Sequence, residues 1–402
     1  MTEKTANDDE ARYESLDFSC EYSPNLPTIL NSLDISLAFT SYQAGRFMFV
    51  RSDGESLDVN FKSFHRPMGL AATEGGLTLG VFTQVINFAR VDGLIDRLKQ
   101  PLQPIEDDIT APRIHPKGEE PEKESEDETD EPSEEELARR AHQEALNAPV
   151  DERVDACFIT RSAHYTGMIN LHDIDWGNDG LWVVNSSFSC LCTLDPDYSF
   201  VPRWKPHFIS KLVPEDRCHL NGMTLKDGEP AYVTTFSTAD EPGQWRQGDK
   251  RSGTVMSVEH NEIIVDGLIM PHSPRWHDGY VYFCNSGEGL LCRLEPSGGA
   301  VETVAELQGF TRGMDFYGPL VFVGLSSVRE GNVLEPPPLK ARYDETFSGI
   351  WIVNTNDQSV AGFLKFTGNV DQIYDVAVIP GCSFPELIEP THPRMRNHFQ
   401  VP

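Results

Sequence analysis

His219-Leu220-Asn221-Gly222-Met223-Thr224, closed by the turn Lys226-Asp227-Gly228 and continued by Ala231-Tyr232-Val233-Thr234, decides the fold. The second run is β-branched and aromatic, as a half-buried strand requires, and Asp-Gly is a hairpin turn. Five other segments repeat this grammar: Arg66-Pro-Met-Gly-Leu-Ala71, His172-Asp-Ile-Asp-Trp176, Pro271-His-Ser-Pro-Arg-Trp276, Thr311-Arg-Gly-Met-Asp-Phe316 and Ile373-Tyr-Asp-Val-Ala-Val378. Turns such as Asn178-Asp179-Gly180 and His277-Asp278-Gly279 follow them, then strands such as Leu181-Trp182-Val183-Val184 and Tyr280-Val281-Tyr282-Phe283.

Taking Met68, Asp173, Asn221, His272, Arg312 and Asp375 as equivalent points, the gaps are 105, 48, 51, 40 and 63 residues. An insertion of about 50 residues accounts for the first, and the others lie near the roughly 40–50 residues of a four-stranded propeller blade. The expected fold is all-β: a six-bladed β-propeller. A sandwich or jelly roll does not predict six equivalent motifs. The sixth motif is followed by one strand, Tyr374 to Ile379. The N-terminal strands Ser36 to Thr40, Phe47 to Arg51 and about Ser56 to Phe61 have no blade of their own. The two termini are therefore expected to share the last blade, which removes an open sheet edge.

Residues 101–150 break the pattern with 16 acidic and 5 basic side chains. About 103–133 is expected to be a disordered acidic insertion within a propeller spanning 26–402, because it has too little apolar surface to offset its ordering entropy. Its distal end has a capping-box spacing, Ser133 and Glu136, ahead of Leu137. A protein partner is one use for such an insertion; a tolerated loop expansion is the other. Residues 1–25 are expected to be a mobile tail.

The formal charge of −30 disfavours nucleic acid and anionic membranes as partners. No run of 18 apolar residues exists, and the polar start Met1 to Arg12 lacks the pattern of a secretion signal. The expected location is the cytoplasm. The eight cysteines show no CxxC pair; Cys190 and Cys192 share one strand face and are expected to be core thiols.

Several longer motifs go beyond this grammar: Asn185 to Asp195, Tyr198 to Ser210, Pro214 to Met223, Met270 to Gly279, Gly309 to Phe316 and Phe322 to Glu330. On these the chain resembles a family of uncharacterised bacterial β-propellers, a domain of unknown function. The resemblance covers about residues 30–388 apart from the acidic insertion and implies no activity. A more distant resemblance is to the SMP-30/gluconolactonase propellers, where the Asn of an Asn-Gly pair like Asn221-Gly222 holds an axial metal. This chain departs from that group with His272 at the next position, where an Asn or Asp stands there, and with the cationic Arg312.

Innermost strands of a propeller surround its axis, so the six equivalent residues should meet in one pocket, bordered by Arg66, His172, His219, Thr311 and Tyr374. Charge at the axis is costly unless paired or used. One expectation is a metal-assisted hydrolase, lyase or isomerase acting on a small polar or anionic molecule. Asp173, Asn221, His272 and Asp375 would hold a divalent ion, Arg312 would hold the substrate's anionic group, and His219 or His172 would be the general acid or base. The alternative is a non-catalytic ligand-binding or scaffold propeller with the same ring. Trp204, Trp245, Trp276 and Trp351 are expected to pack the blades, and Arg246, Lys250 and Arg251 to form a solvated basic loop.

Overall fold

A computed structural model describes residues 17–102, 137, 144, 146–328, 337–368, 370–397 and 399–401. Six sheets stand in a ring, one per blade of a six-bladed β-propeller, each built on four antiparallel strands. Blade one runs from the axis outward through Leu70–Thr73, Gly76–Gly80, Gln84–Arg90 and Ala156–Tyr165. Blades two to five begin with Leu171–Gly177, Leu220–Lys226, Pro271–His277 and Phe310–Tyr317.

Blade six joins Val376–Pro380 to Ile35–Ser41, Arg46–Ser52 and Leu57–Ser63. Ala38 faces Ala377 and Leu37 faces Val378, so the termini close the ring as expected. The closure is more extensive than the sequence suggests. Cys20–Tyr22 adds a strand to blade five, with Glu21 opposite Lys365. Pro385–Ile388 adds a parallel strand to blade one, with Leu387 opposite Phe158. The expected tail thus contains a paired strand. Each added strand covers a sheet edge that would otherwise be left unpaired.

Between the blades the packing is apolar. Phe39 and Met48 of blade six meet Phe322 and Ile350 of blade five. Trp182 and Val184 of blade two meet Met223 and Val233 of blade three. Each such buried side chain contributes about 1.5–3 kcal/mol. All eight cysteines are free, and all but Cys20 are buried.

The acidic insertion belongs to the connection between the third and fourth strands of blade one. Residues 103–133 and the Ser133/Glu136 capping box lie outside the described residues; Leu137 and Glu144 are helical. Among the described residues no helix is long and apolar enough to cross a membrane.

Candidate functional site

Four of the six innermost strands, those of blades one to four, reach the axis through the same backbone device. Arg66, Asn170, His219 and Met270 all have left-handed φ, between 49° and 52°. Such values are uncommon outside glycine, and their recurrence two residues before Met68, His172, Asn221 and His272 marks a built turn. The hairpin ends agree: Thr73, Gly177, Lys226, His277 and Tyr317 each begin a turn five residues after the ring position.

This alignment corrects the sequence-based one in two blades. The ring at the mouth is Met68, His172, Asn221, His272, Arg312 and, in blade six, Tyr374. Asp173 and Asp375 sit one residue deeper. Each binds its own following amide through Oδ1 and the next blade's amide through Oδ2: Met223 N at 3.0 Å for Asp173, Leu70 N at 2.9 Å for Asp375. They stitch neighbouring blades together.

A guanidinium that the sequence reading passed over lies between these carboxylates. Arg275 Nη1 donates to Asp173 Oδ2 at 3.0 Å, and Nη2 lies 3.6 Å from Asp375 Oδ1. Its Nε donates to the Met314 carbonyl, and Nη1 is also within reach of the Met223 and Pro274 carbonyls. Burial opposes this charge, yet Asp173 and Asp375 outweigh it and hold Arg275 protonated. Burial, reinforced by Asp173, pushes the Asp375 carboxyl up to about 8. Burial raises Asp175 to about 6 and also raises Asp315.

Asp173, Asn221, His272, Arg312 and Asp375, from five blades, line one cavity with His172 and Tyr374. Its volume of about 10 Å³ is room for about one water. Ser273 lines it too, although neighbours on a strand normally face opposite ways. A φ of 50° at Ser273 and a register shift between His272 and Arg275 turn both residues inward. Gly313 is glycine for space: a Cβ there would lie 2.6 Å from Asp375 Cα, at a φ of 74°. The Tyr374 hydroxyl is buried at the cavity, and among the described residues no partner meets it in good hydrogen-bond geometry, its nearest polar influence being Arg312.

The expected metal donors do not fit a cation. Arg275 places a fixed positive charge between Asp173 and Asp375. Asn221 Oδ1 accepts from Thr234 and Nδ2 donates to the Pro271 carbonyl. Among the described residues no three His, Cys, Asp or Glu side chains are grouped to hold a metal ion.

The imidazoles are organised differently. His172 Nδ1 lies 2.7 Å from both the Asn170 carbonyl and Ser186 Oγ, and Ser186 donates its proton to the Leu220 carbonyl. A carbonyl only accepts, so Nδ1 carries the proton and Nε2 keeps a lone pair. His272 repeats the arrangement with Met270 and Ser286, whose hydroxyl donates to the Thr311 carbonyl. Burial lowers both residues' pKa values, helped by neighbouring His219 and Arg312, so both are neutral.

His219 belongs to the rim. Its Nδ1 lies 3.0 Å from Asp216 Oδ1, its ring stacks on Trp245 at 4.0 Å, and it meets His172 edge-on at 4.7 Å. Burial lowers its pKa, with Asp216 partly opposing. Asp216 also accepts from Trp245 and Arg246. Trp245, expected to pack a blade, instead backs the His219 ring and donates to Asp216; a basic loop next to an aromatic was the signal available.

Above the ring opens a pocket of about 690 Å³, lined by His219, His272 and Arg312 among others. Arg312 is half-buried there, its guanidinium 3.7 Å over the Tyr374 ring and 5.6 Å from that of Tyr42. Among the described residues no carboxylate pairs with it. Lys250 and Arg251, expected to be merely solvated, also line this pocket.

Residues 24–115 and 133–388 match the family described as "Domain of unknown function (DUF4915)". Among solved structures, a chain from "Crystal structure of Nidogen/Laminin Complex" superposes with a TM-score of 0.46 at 9% identity, covering 87% of this chain and 99% of that one. No curated protein matches.

Proposed function

The chain belongs to the DUF4915 family, and from that starting point we propose that its axial pocket binds a small anionic, hydroxyl-bearing molecule without help from a metal. One observation carries this reading: Arg312 is a half-buried cation at the pocket floor with no carboxylate of the described chain to neutralise it. Burying a charge is costly unless a partner arrives. Tyr374 covers one guanidinium face, and the planar N–H edge suits bidentate recognition of a carboxylate, phosphate or sulfate. The Nε2 lone pairs of His219 and His272 accept hydrogen bonds from hydroxyls beside that group.

A second reading adds chemistry at the same place, and it rests on the Asp216–His219 pair. A carboxylate that fixes one imidazole nitrogen leaves the other as a proton acceptor of defined orientation. In this reading His219 removes a proton from the bound molecule or from water, and Arg312 holds the anionic group still.

The test is calorimetry or ligand-observed NMR against uronates, hydroxycarboxylates and sugar phosphates, followed by chemical analysis of the mixtures. A bound member of the panel should lose at least about tenfold in affinity in Arg312→Gln, about 1.4 kcal/mol. Equal binding by wild type and Arg312→Gln would remove the basis of the proposal. Conversion of a bound compound, lost in His219→Gln, would establish the second reading.

A further inference from the structure

The pocket continues beyond Arg312 in a way that narrows the ligand's class. One part of its lining is the loop ending in the short helical turn Lys250–Ser252, which contributes Lys250 and Arg251. Lys250 is half-buried, its Nζ donates to the Arg246 carbonyl, and no carboxylate of the described chain pairs with it. Arg251 is more exposed and lies 3.5 Å from Glu288. Among the described residues the one acidic side chain lining the pocket is Asp249, whose Oδ1 accepts the Arg251 amide and so caps the turn.

Among the described residues three cations therefore line one pocket against a single carboxylate, in a chain of net charge −30. Such a local reversal of sign concentrates anions in the cleft. The same lining includes an apolar set, Phe236, Ile269, Met270, Phe310 and Pro338, beside the polar Gln43, Ser326, Ser327 and Gln372. The volume suits a metabolite-sized molecule rather than a single inorganic anion.

We infer that the pocket takes an elongated dianion, with one anionic group on Arg312 at the axis, the other on Lys250 and Arg251 at the rim, and a less polar middle against Phe236, Met270 and Phe310. This rests on Arg312 as the primary anion partner and adds a second subsite that sets ligand length. The loop is tied to the rim beside His219: Arg246 stacks on Trp245 at 4.2 Å and pairs with Asp216, which orients His219. The two subsites thus stand at a fixed separation, and length discrimination follows.

The probes are straight-chain α,ω-dicarboxylates from succinate to sebacate, each paired with the monocarboxylate of equal length, titrated by ligand-observed NMR at low ionic strength. One dicarboxylate length should bind about tenfold tighter than its monocarboxylate. The double variant Lys250→Gln/Arg251→Gln should erase that advantage and leave monocarboxylate binding within about twofold. Its melting temperature should not move. Arg312→Gln should weaken both classes. No advantage at any length, or an advantage that survives the double variant, would overturn the second subsite while monocarboxylate binding kept the first. Failure of both classes to bind the wild-type protein would overturn the anion reading itself and this inference with it.

Discussion

Arg275 and Asp173, 102 residues apart, are held 3.0 Å from each other across the propeller axis, joining blade four to blade two. The same guanidinium lies 3.6 Å from Asp375 of blade six. One fixed cation thus ties three alternate blades. Arg275→Met removes the charge and leaves the buried Asp173 and Asp375 side chains without the guanidinium that lies between them. The expected loss is about 3–5 kcal/mol, the usual cost of breaking one side of a buried pair. Urea unfolding of wild type and variant checks it; a change below about 1 kcal/mol would mean that the backbone amides alone satisfy Asp173 and Asp375.

Ring closure predicts a different failure. Val376–Pro380 is the innermost strand of blade six, and Pro385–Ile388 extends blade one. A chain ending at residue 372 loses both, exposing Phe39, Leu37 and Phe158. It should lose cooperative thermal unfolding and bind a hydrophobic dye. A sharp melt near the wild-type temperature would show that the other blades hold without the shared one.

Asp216 is expected to govern the state of His219. Its carboxylate faces Nδ1 at 3.0 Å and partly offsets the burial that lowers the His219 pKa. Asp216→Asn removes that offset, so the pKa should fall further, and Nδ1 should lose its reason to hold the proton. Nitrogen-15 NMR of the imidazole reads both changes. An unaltered tautomer and an unaltered or raised pKa would disconnect Asp216 from the site.

The blade count and the mixed blade were legible because strand alternation and Asp-Gly turns depend on local residues. The mouth ring was legible to within one residue. His272, Asn221 and Arg312 stand at the expected position, whereas Asp173 and Asp375 were matched to them by chemical kind. Nothing in the sequence shows a bulge, and a bulge decides which of His172 and Asp173 comes first. Arg275 was hidden for a related reason: strand alternation gives no sign that its side chain folds back along the axis to a carboxylate two blades away. Lys250, Arg251 and Trp245 sit in a loop, whose path no periodicity constrains.

The carboxylate cluster around Arg275 also predicts how stability varies with pH. Asp375 titrates at about 8 in the folded chain, driven by burial and then by Asp173, against about 3.9 when unfolded. Between those values the folded state holds a proton that the unfolded state has released, so its contribution to stability falls as pH rises from about 4 to 8. His172 and His272 act in the opposite sense. Burial lowers their folded pKa values below the ordinary 6.5, so acidification below that point protonates the unfolded chain first and removes stability. Above pH 6.5 the histidine contribution is complete and the Asp375 contribution remains. The melting temperature should therefore decline from pH 6.5 to 8. In Asp375→Asn, where Oδ1 still accepts an amide and no proton is released, that decline should shrink. The comparison that matters is the difference between variant and wild type at each pH, since the lost interactions are the same throughout. If that difference stays constant from pH 6.5 to 8, Asp375 is ionised across the range and Arg275 neutralises it more fully than the burial of the cluster implies.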